Sequence, residues 1–293
     1  MKHFRNLISA FILIFVFIFV YTSCRKEAGS NAIPQGQQKI SIRLSDNAVN
    51  FGAVNVDIQS VAVQVIPDSC LNKYHDDFDH DGDDDHDHNR GARCSSWDTL
   101  NIRPGVYNLL DLANGTDTIL ASGLTVTGKI TKIRLILGDN NSVVIDSVSY
   151  PLTLWNNDHV VTIALRGEDV DQIGTNDLQF WLDFDAGHSI VRVHDNHFML
   201  RPFLRVWLPA HTGSVQGYVQ PDSAQSVVAA IFNGDTLVAI PRHNGFFKIR
   251  GITSTSTDVF INATANNYQD TTITGVQLQV GKTTDLGTIH LHQ

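Results

Sequence analysis

Apolar and polar residues alternate along most of this chain with a period of two, the mark of strands with one buried face. Residues 39–44 (KISIRL) open the pattern, and residues 54–65 continue it with a phase slip near Ser60. The stretch 97–145 is its centre, with alternation through Val106-Tyr107-Asn108-Leu109 and again through residues 130–137. Asn114-Gly115 and Asp139-Asn140-Asn141 supply turn chemistry between strands. Further strands are predicted over 150–154, 160–165, 178–184, 190–193 and 198–206. Residues 209–213 read as a linker, and residues 214–293 hold a second set of short strands and turns, among them Asn244-Gly245 feeding 246–249. No amphipathic helix is predicted after residue 30.

The N-terminus breaks the pattern. Lys2 and Arg5 precede an apolar run over residues 7–20 interrupted only by Ser9. That is short for a membrane span and of the right length for a signal peptide. Tyr21-Thr22-Ser23-Cys24 follows and resembles a bacterial lipobox, which implies lipidation of Cys24 and anchoring to a membrane by acyl chains. Residues 24–37 then form a polar tether. No Asp follows Cys24, and no acidic run follows it either, which points to the outer membrane and favours its periplasmic leaflet, with the surface leaflet left open. The expected organisation is all-β: a signal peptide (1–23), a tether (24–37), and two β-sandwich domains in tandem (38–208 and 213–293).

Composition supports strands and turns over helices. Of the 30 acidic residues, only Glu27 and Glu168 are Glu; Asp suits turns and caps. The net charge of −9 is local, because residues 75–88 alone carry eight Asp. The rest is close to neutral, and no basic patch suggests nucleic-acid binding.

Those eight Asp lie in an insertion, residues 70–94, with four His. Asp77, Asp79, Asp81, Gly82 and Asp83 follow the opening of a calcium loop, where alternate carboxylates surround a hard cation and Gly permits the turn. His88 stands where such a loop ends in Glu. His80, His86 and His88, with His75, supply imidazoles suited to zinc or another transition metal. A solvated low-complexity insertion is the third reading, and sequence does not decide among them. Cys70 and Cys94 flank the insertion; once Cys24 is set aside they are the only cysteines, and an exported chain pairs them.

Other constellations carry less. Asp183, Asp185, His188, His194 and His197 could form a second site but read better as strand ends around the Asp195-Asn196 turn. No nucleophile elbow, Walker A loop, dinucleotide fingerprint or H-E-x-x-H is present. Six Asp-Ser/Thr triplets, at Asp98, Asp117, Asp146, Asp222, Asp235 and Asp270, resemble an O-glycosylation acceptor pattern and equally fit turns that end in Asp before a strand.

Residues 38–208 resemble a family of bacterial domains catalogued as domain of unknown function 4382. The matching segments are Ser45-Asp46, residues 107–115 (YNLLDLANG), residues 132–135 (KIRL), Leu182-Asp183-Phe184-Asp185-Ala186 with Ser189, and Leu200-Arg201-Pro202. The resemblance implies a secreted β domain and no catalytic residues. Residues 213–293 are similar to carboxypeptidase-regulatory or transthyretin-like β-sandwiches. That fold is shared with starch-binding modules, which makes Tyr218, Phe246, Phe247 and Tyr268 the aromatic candidates for a sugar platform. Two functions follow: a non-enzymatic envelope lipoprotein that binds a cation or a protein partner, and a carbohydrate-binding or glycan-processing accessory protein.

Overall fold

In a computed structural model of the chain, the structure describes residues 33–46, 51–71, 94–165 and 177–293. Cys24, Asp77, Asp79, Asp81, Asp83, His80, His86 and His88 lie outside the described residues.

Strands dominate. The first half contains β1 (Gln37–Ser45), β2 (Ala53–Pro67), β3 (Ser96–Thr99), β4 (Asn101–Ile102), β5 (Gly105–Asn108), β6 (Thr118–Val126) and β7 (Gly128–Leu137). It continues through β8 (Ser142–Ile145), β9 (Val148–Leu154), β10 (Val160–Ala164), β11 (Asp177–Phe184), β12 (Ile190–His194), β13 (His197–Leu200) and β14 (Leu204–Trp207). One sheet runs β14-β11-β1-β6-β4, and the other runs β10-β7-β2-β8-β9-β13-β12 with β3 and β5 also on β2. Their inner faces share one hydrophobic core that includes Ile40, Ile42, Val61, Val63, Ile133, Leu135, Phe180 and Phe184. The second half contains β15 (Gly213–Gln220), β16 (Val227–Phe232), β17 (Asp235–Ala239), β18 (Phe246–Ile252), β19 (Ser256–Asn262), β20 (Thr271–Gln277) and β21 (Thr283–His290). They form sheets β18-β15-β21 and β17-β16-β19-β20 around a separate core that includes Val215, Phe247, Ile249 and Val259. The all-β, sandwich-type architecture expected from the period of two is what the chain adopts. Among the described residues, α-helix is confined to two four-residue turns, α1 (Asp68–Leu71) and α2 (Ala186–Ser189).

The longest strand, β2, is the hub. Its first residues pair with β8 and β5, its later ones with β7 and β3. The phase slip seen near Ser60 is a register shift between Ile58 and Ser60, so the strand changes its inward residues at a bulge. Asp57, 2% exposed, is held at this point. Its carboxylate accepts from the backbone and side-chain nitrogens of Asn140, at 3.3 and 3.2 Å, and from Gln59. The Asp-Asn-Asn turn is therefore pinned to the middle of the hub strand.

The insertion leaves and returns at the end of one hairpin. Ala62 to Val65 pair with Thr99 to Ser96, and Gln64 Nε2 donates to Ser95 Oγ at 3.0 Å. Cys70 in α1 and Cys94 just before β3 form a disulfide, Cα–Cα 6.3 Å. Twenty-odd residues can thus be inserted without disturbing either sheet. Among the described residues, no helix is long and apolar enough to cross a membrane.

Two local expectations change. Residues 198–206 do not make one strand. Arg201-Pro202-Phe203 breaks them, because Pro202 has no N–H for a ladder, and β13 and β14 go to different sheets. Residues 209–213 are not a loose linker either: Pro209–His211 is a 3₁₀ turn that runs directly into β15, with Thr212 only 6% exposed.

Candidate functional site

The two halves meet on the outer face of the first sheet. Period-two alternation places Trp181 and Asp183 on β11, Arg205 and Trp207 on β14, and Arg43 and Ser45 on β1 on that face. Registers bring them into two rows, Trp207–Trp181–Arg43 and Arg205–Asp183–Ser45. An outward row would normally be wet, yet Asp183 is 2% exposed, beside Arg205, which itself reaches Asp235 of the second half.

At one end of this face is a corner of aspartates around a single guanidinium. Arg205 Nη2 donates to Asp185 Oδ2 at 3.1 Å, its Nε lies 3.7 Å from Asp183 Oδ2, and its Nη1 reaches Asp235 of β17 at 3.3 Å. Asp185 also caps α2, accepting from His188 N at 3.0 Å, and its other oxygen meets His188 Nδ1 at 2.9 Å. Asp46 Oδ1 accepts from Ala186 N at 3.0 Å, and Asp46 N donates to Leu112 O. Ser189 Oγ donates to Asp185 O and accepts from Phe203 N, while Arg201 N donates to Ser189 O. The family-like segments at 45–46, 107–115, 182–189 and 200–202 therefore converge on one knot. Burial pushes the Asp183 carboxyl up to about 7; Arg205 pulls it back, neighbouring Asp185 adds to the rise, and a hydrogen bond from Ser45 offsets part of it.

A second cluster ties the halves further along. Asp117 is shared by Arg43 and by Arg250, whose Nη1 lies 2.8 Å away. Arg250 stacks over Trp181 at 4.3 Å, and Trp181 packs against Trp207 with centroids 6.2 Å apart. Gly251, at φ +79°, lies flat on Trp207; a Cβ there would meet the indole at 3.1 Å. Asn114 Nδ2 donates to Ile240 O, and Arg242 Nη2 donates to Thr116 Oγ1 at 2.7 Å. Residues 35–293 accordingly form one unit.

Of the sequence candidates, the structure brings together Asp183, Asp185 and His188. It puts His194 and His197 opposite each other at the tip of the β12–β13 hairpin. Asp183 is the penultimate residue of β11 and Asp185 follows its end, so both sit at a strand end as expected. Among the described residues, no three His, Cys, Asp or Glu side chains are placed to hold a metal ion. Of the aromatic candidates, Phe247 is fully buried and Tyr268 packs on the core, while Tyr218 and Phe246 form an edge-on pair at 5.5 Å. Five of the six triplet hydroxyl residues fall at a turn or at the first residues of a strand, and the sixth, Thr99, closes β3. Sequence reasoning missed Trp181, Trp207, Arg205 and Arg250. The signal was present: two strands whose outward positions carry Trp beside a charged residue two positions away.

Residues 37–202 match the family described as "Domain of unknown function (DUF4382)". No curated protein matches the chain. Among solved structures, a type II cohesin–X-dockerin complex from Acetivibrio cellulolyticus is 25% identical over 27% of this chain and 56% of its own, with a TM-score of 0.22. The chain thus spans little more than half of that structure's length. The shaft pilin SpaA from Lactobacillus rhamnosus GG is 6% identical over 87% of this chain and 97% of its own, with a TM-score of 0.23. A streptococcal ancillary pilin is 9% identical over 87% and 69%, with a TM-score of 0.22.

Proposed function

The chain belongs to the DUF4382 family through residues 37–202, and from that premise we propose that it is a non-enzymatic lipoprotein of the cell envelope, a rigid support that presents a binding loop. The observation that carries this reading is the joint. Arg205, Asp183, Asp185 and Asp235, and then Arg43, Asp117 and Arg250, are consumed in ion pairs that lock two sandwiches together. The disulfide-closed hairpin of β2 and β3 holds both ends of the acidic insertion on that support.

The anchor in this reading is lipid on Cys24, in the outer membrane. Cys24→Ala releases the protein into the soluble fraction of lysed cells; full retention with outer membranes refutes the anchor.

The insertion is the binding element, for a divalent cation or an envelope protein. Calcium is proposed as the first ligand, through Asp77, Asp79, Asp81 and Asp83, because eight close carboxylates repel one another until a cation neutralises them. Pre-joined loop ends reduce the ordering cost of binding. Millimolar calcium raises the melting temperature, with a shift that grows with concentration and is absent when Asp77, Asp79 and Asp81 are replaced by Asn. Zinc acting at far lower concentration, and lost on replacing His80, His86 and His88, selects the transition metal instead. No response to either ion leaves the loop as a solvated insertion.

A further inference from the structure

A small cleft opens beside the tryptophan pair, between the two halves. Its volume is about 170 Å³, and its walls include Trp181, Trp207, Lys248, Arg250, Gly251 and Lys282. That is below the roughly 300–1,000 Å³ of pockets that take drug-sized ligands, so it suits one small ring. Trp207 is backed by Gly251 and Trp181 is covered by Arg250, so both indoles are fixed before any ligand arrives.

The charge of the cleft is one-sided. No Asp or Glu lines it. Lys248 and Arg250 stand two residues apart on β18, and hence on the same face, opposite to buried Phe247 and Ile249. Arg250 has half a claim on Asp117, which it shares with Arg43. Lys248 has no carboxylate partner among the described residues, and burial with the neighbouring Arg250 holds its pKa below that of an ordinary lysine. Lys282, on the turn before β21, donates to Gln279 Oε1 at 2.8 Å, which leaves two ammonium protons for another acceptor. The indole N–H of Trp181 is buried and meets no acceptor among the described residues. At the edge, Ser214 Oγ and Thr283 Oγ1 share a hydrogen bond of 2.7 Å, and Ser214 Oγ donates to Lys282 O at 3.4 Å.

A ring-sized space walled by two indoles and by lysines without carboxylate partners among the described residues has a definite ligand chemistry. A sugar ring presents a face of C–H groups to an aromatic floor, and a carboxylate on that ring answers the lysines with charge-assisted hydrogen bonds. We propose that this cleft binds a single acidic sugar residue, its carboxylate between Lys248 and Lys282 and its ring against Trp181 and Trp207. The proposal rests on neither the anchor nor a cation.

The test is a titration of the full-length chain in neutral detergent, followed by tryptophan fluorescence and by calorimetry, with D-glucuronate, D-glucose and inorganic phosphate as probes. Glucuronate gives a saturable fluorescence change with a dissociation constant in the millimolar range or below. Glucose binds at least about tenfold more weakly, and so does glucuronate to Lys248→Gln or Lys282→Gln, as expected for loss of a charge-assisted hydrogen bond. Both variants keep the wild-type melting temperature in the absence of probe. The proposal is overturned by any of three results: no saturable response to glucuronate, a glucose affinity equal to that of glucuronate, or glucuronate affinity unchanged in both lysine variants. Phosphate that binds as tightly as glucuronate, with the same fluorescence change, also overturns it, because the site then reads charge without the ring.

Discussion

Arg205→Ala destabilises the protein by about 3–5 kcal/mol at pH 8, measured by urea unfolding, because it strands two buried carboxylates. Asp183 and Asp185 are 2% and 3% exposed, and Arg205 is the cation that reaches both. The loss depends on pH in a direction the structure fixes. The folded-state pKa of Asp183 is raised to about 7 from an ordinary 3.8, so between those values the folded chain holds a proton that the unfolded chain has released. The contribution of Asp183 to stability is therefore greatest at low pH and declines as pH rises through about 7. Without Arg205 the carboxyl is pushed higher still, and protonation relieves more of the damage at pH 5 than at pH 8. An equal loss at both pH values, or a loss under about 1 kcal/mol, means that the corner is more solvated than its burial indicates. The same variant frees Asp235 and loosens the contact of β17 with the first half.

Removal of the disulfide has the next largest effect. Cys70 and Cys94 are 24 residues apart, and closing such a loop in the unfolded chain contributes about 3 kcal/mol in the chain-entropy model. For a chain of this size that corresponds to a fall in melting temperature of roughly 6–12 °C for Cys70→Ser/Cys94→Ser. Reduction of the wild type with dithiothreitol gives the same fall. A reduced protein that melts with the oxidised one places the whole effect of the bridge in the insertion, with none in the sandwich.

Much of the fold was legible because its elements obey a local rule. Alternation in 39–44 and 54–65 found β1 and β2 within two residues at either end, and the slip at Ser60 marked a real bulge. Alternation fails where one residue overrides it: Pro202 splits the run 198–206 into strands of two different sheets. The joint was not legible. Arg205 and Asp235 are 30 residues apart and Asp117 and Arg250 are 133 apart, and no periodicity connects them. Asp183 reads as a strand-end acid, and it is the penultimate residue of β11. What the pattern does not report is that this end of an outward face is buried, beside an arginine 22 residues further on.

The place of β1 in its sheet sets the order of events during synthesis. It lies between β6 and β11, and its pairing with β11 is parallel, across 138 residues of sequence. At about 5–20 residues per second, β11 leaves the ribosome roughly 7–28 s after β1. Through that interval one edge of β1 has no ladder partner, with Ile40, Ile42 and Leu44 beside it. Closure by so distant a strand is intrinsically slow, since loop entropy is lost before the contacts form. The nascent first domain is thus a client for any factor that shields open strand edges, and β1 is the edge at which mispairing is expected.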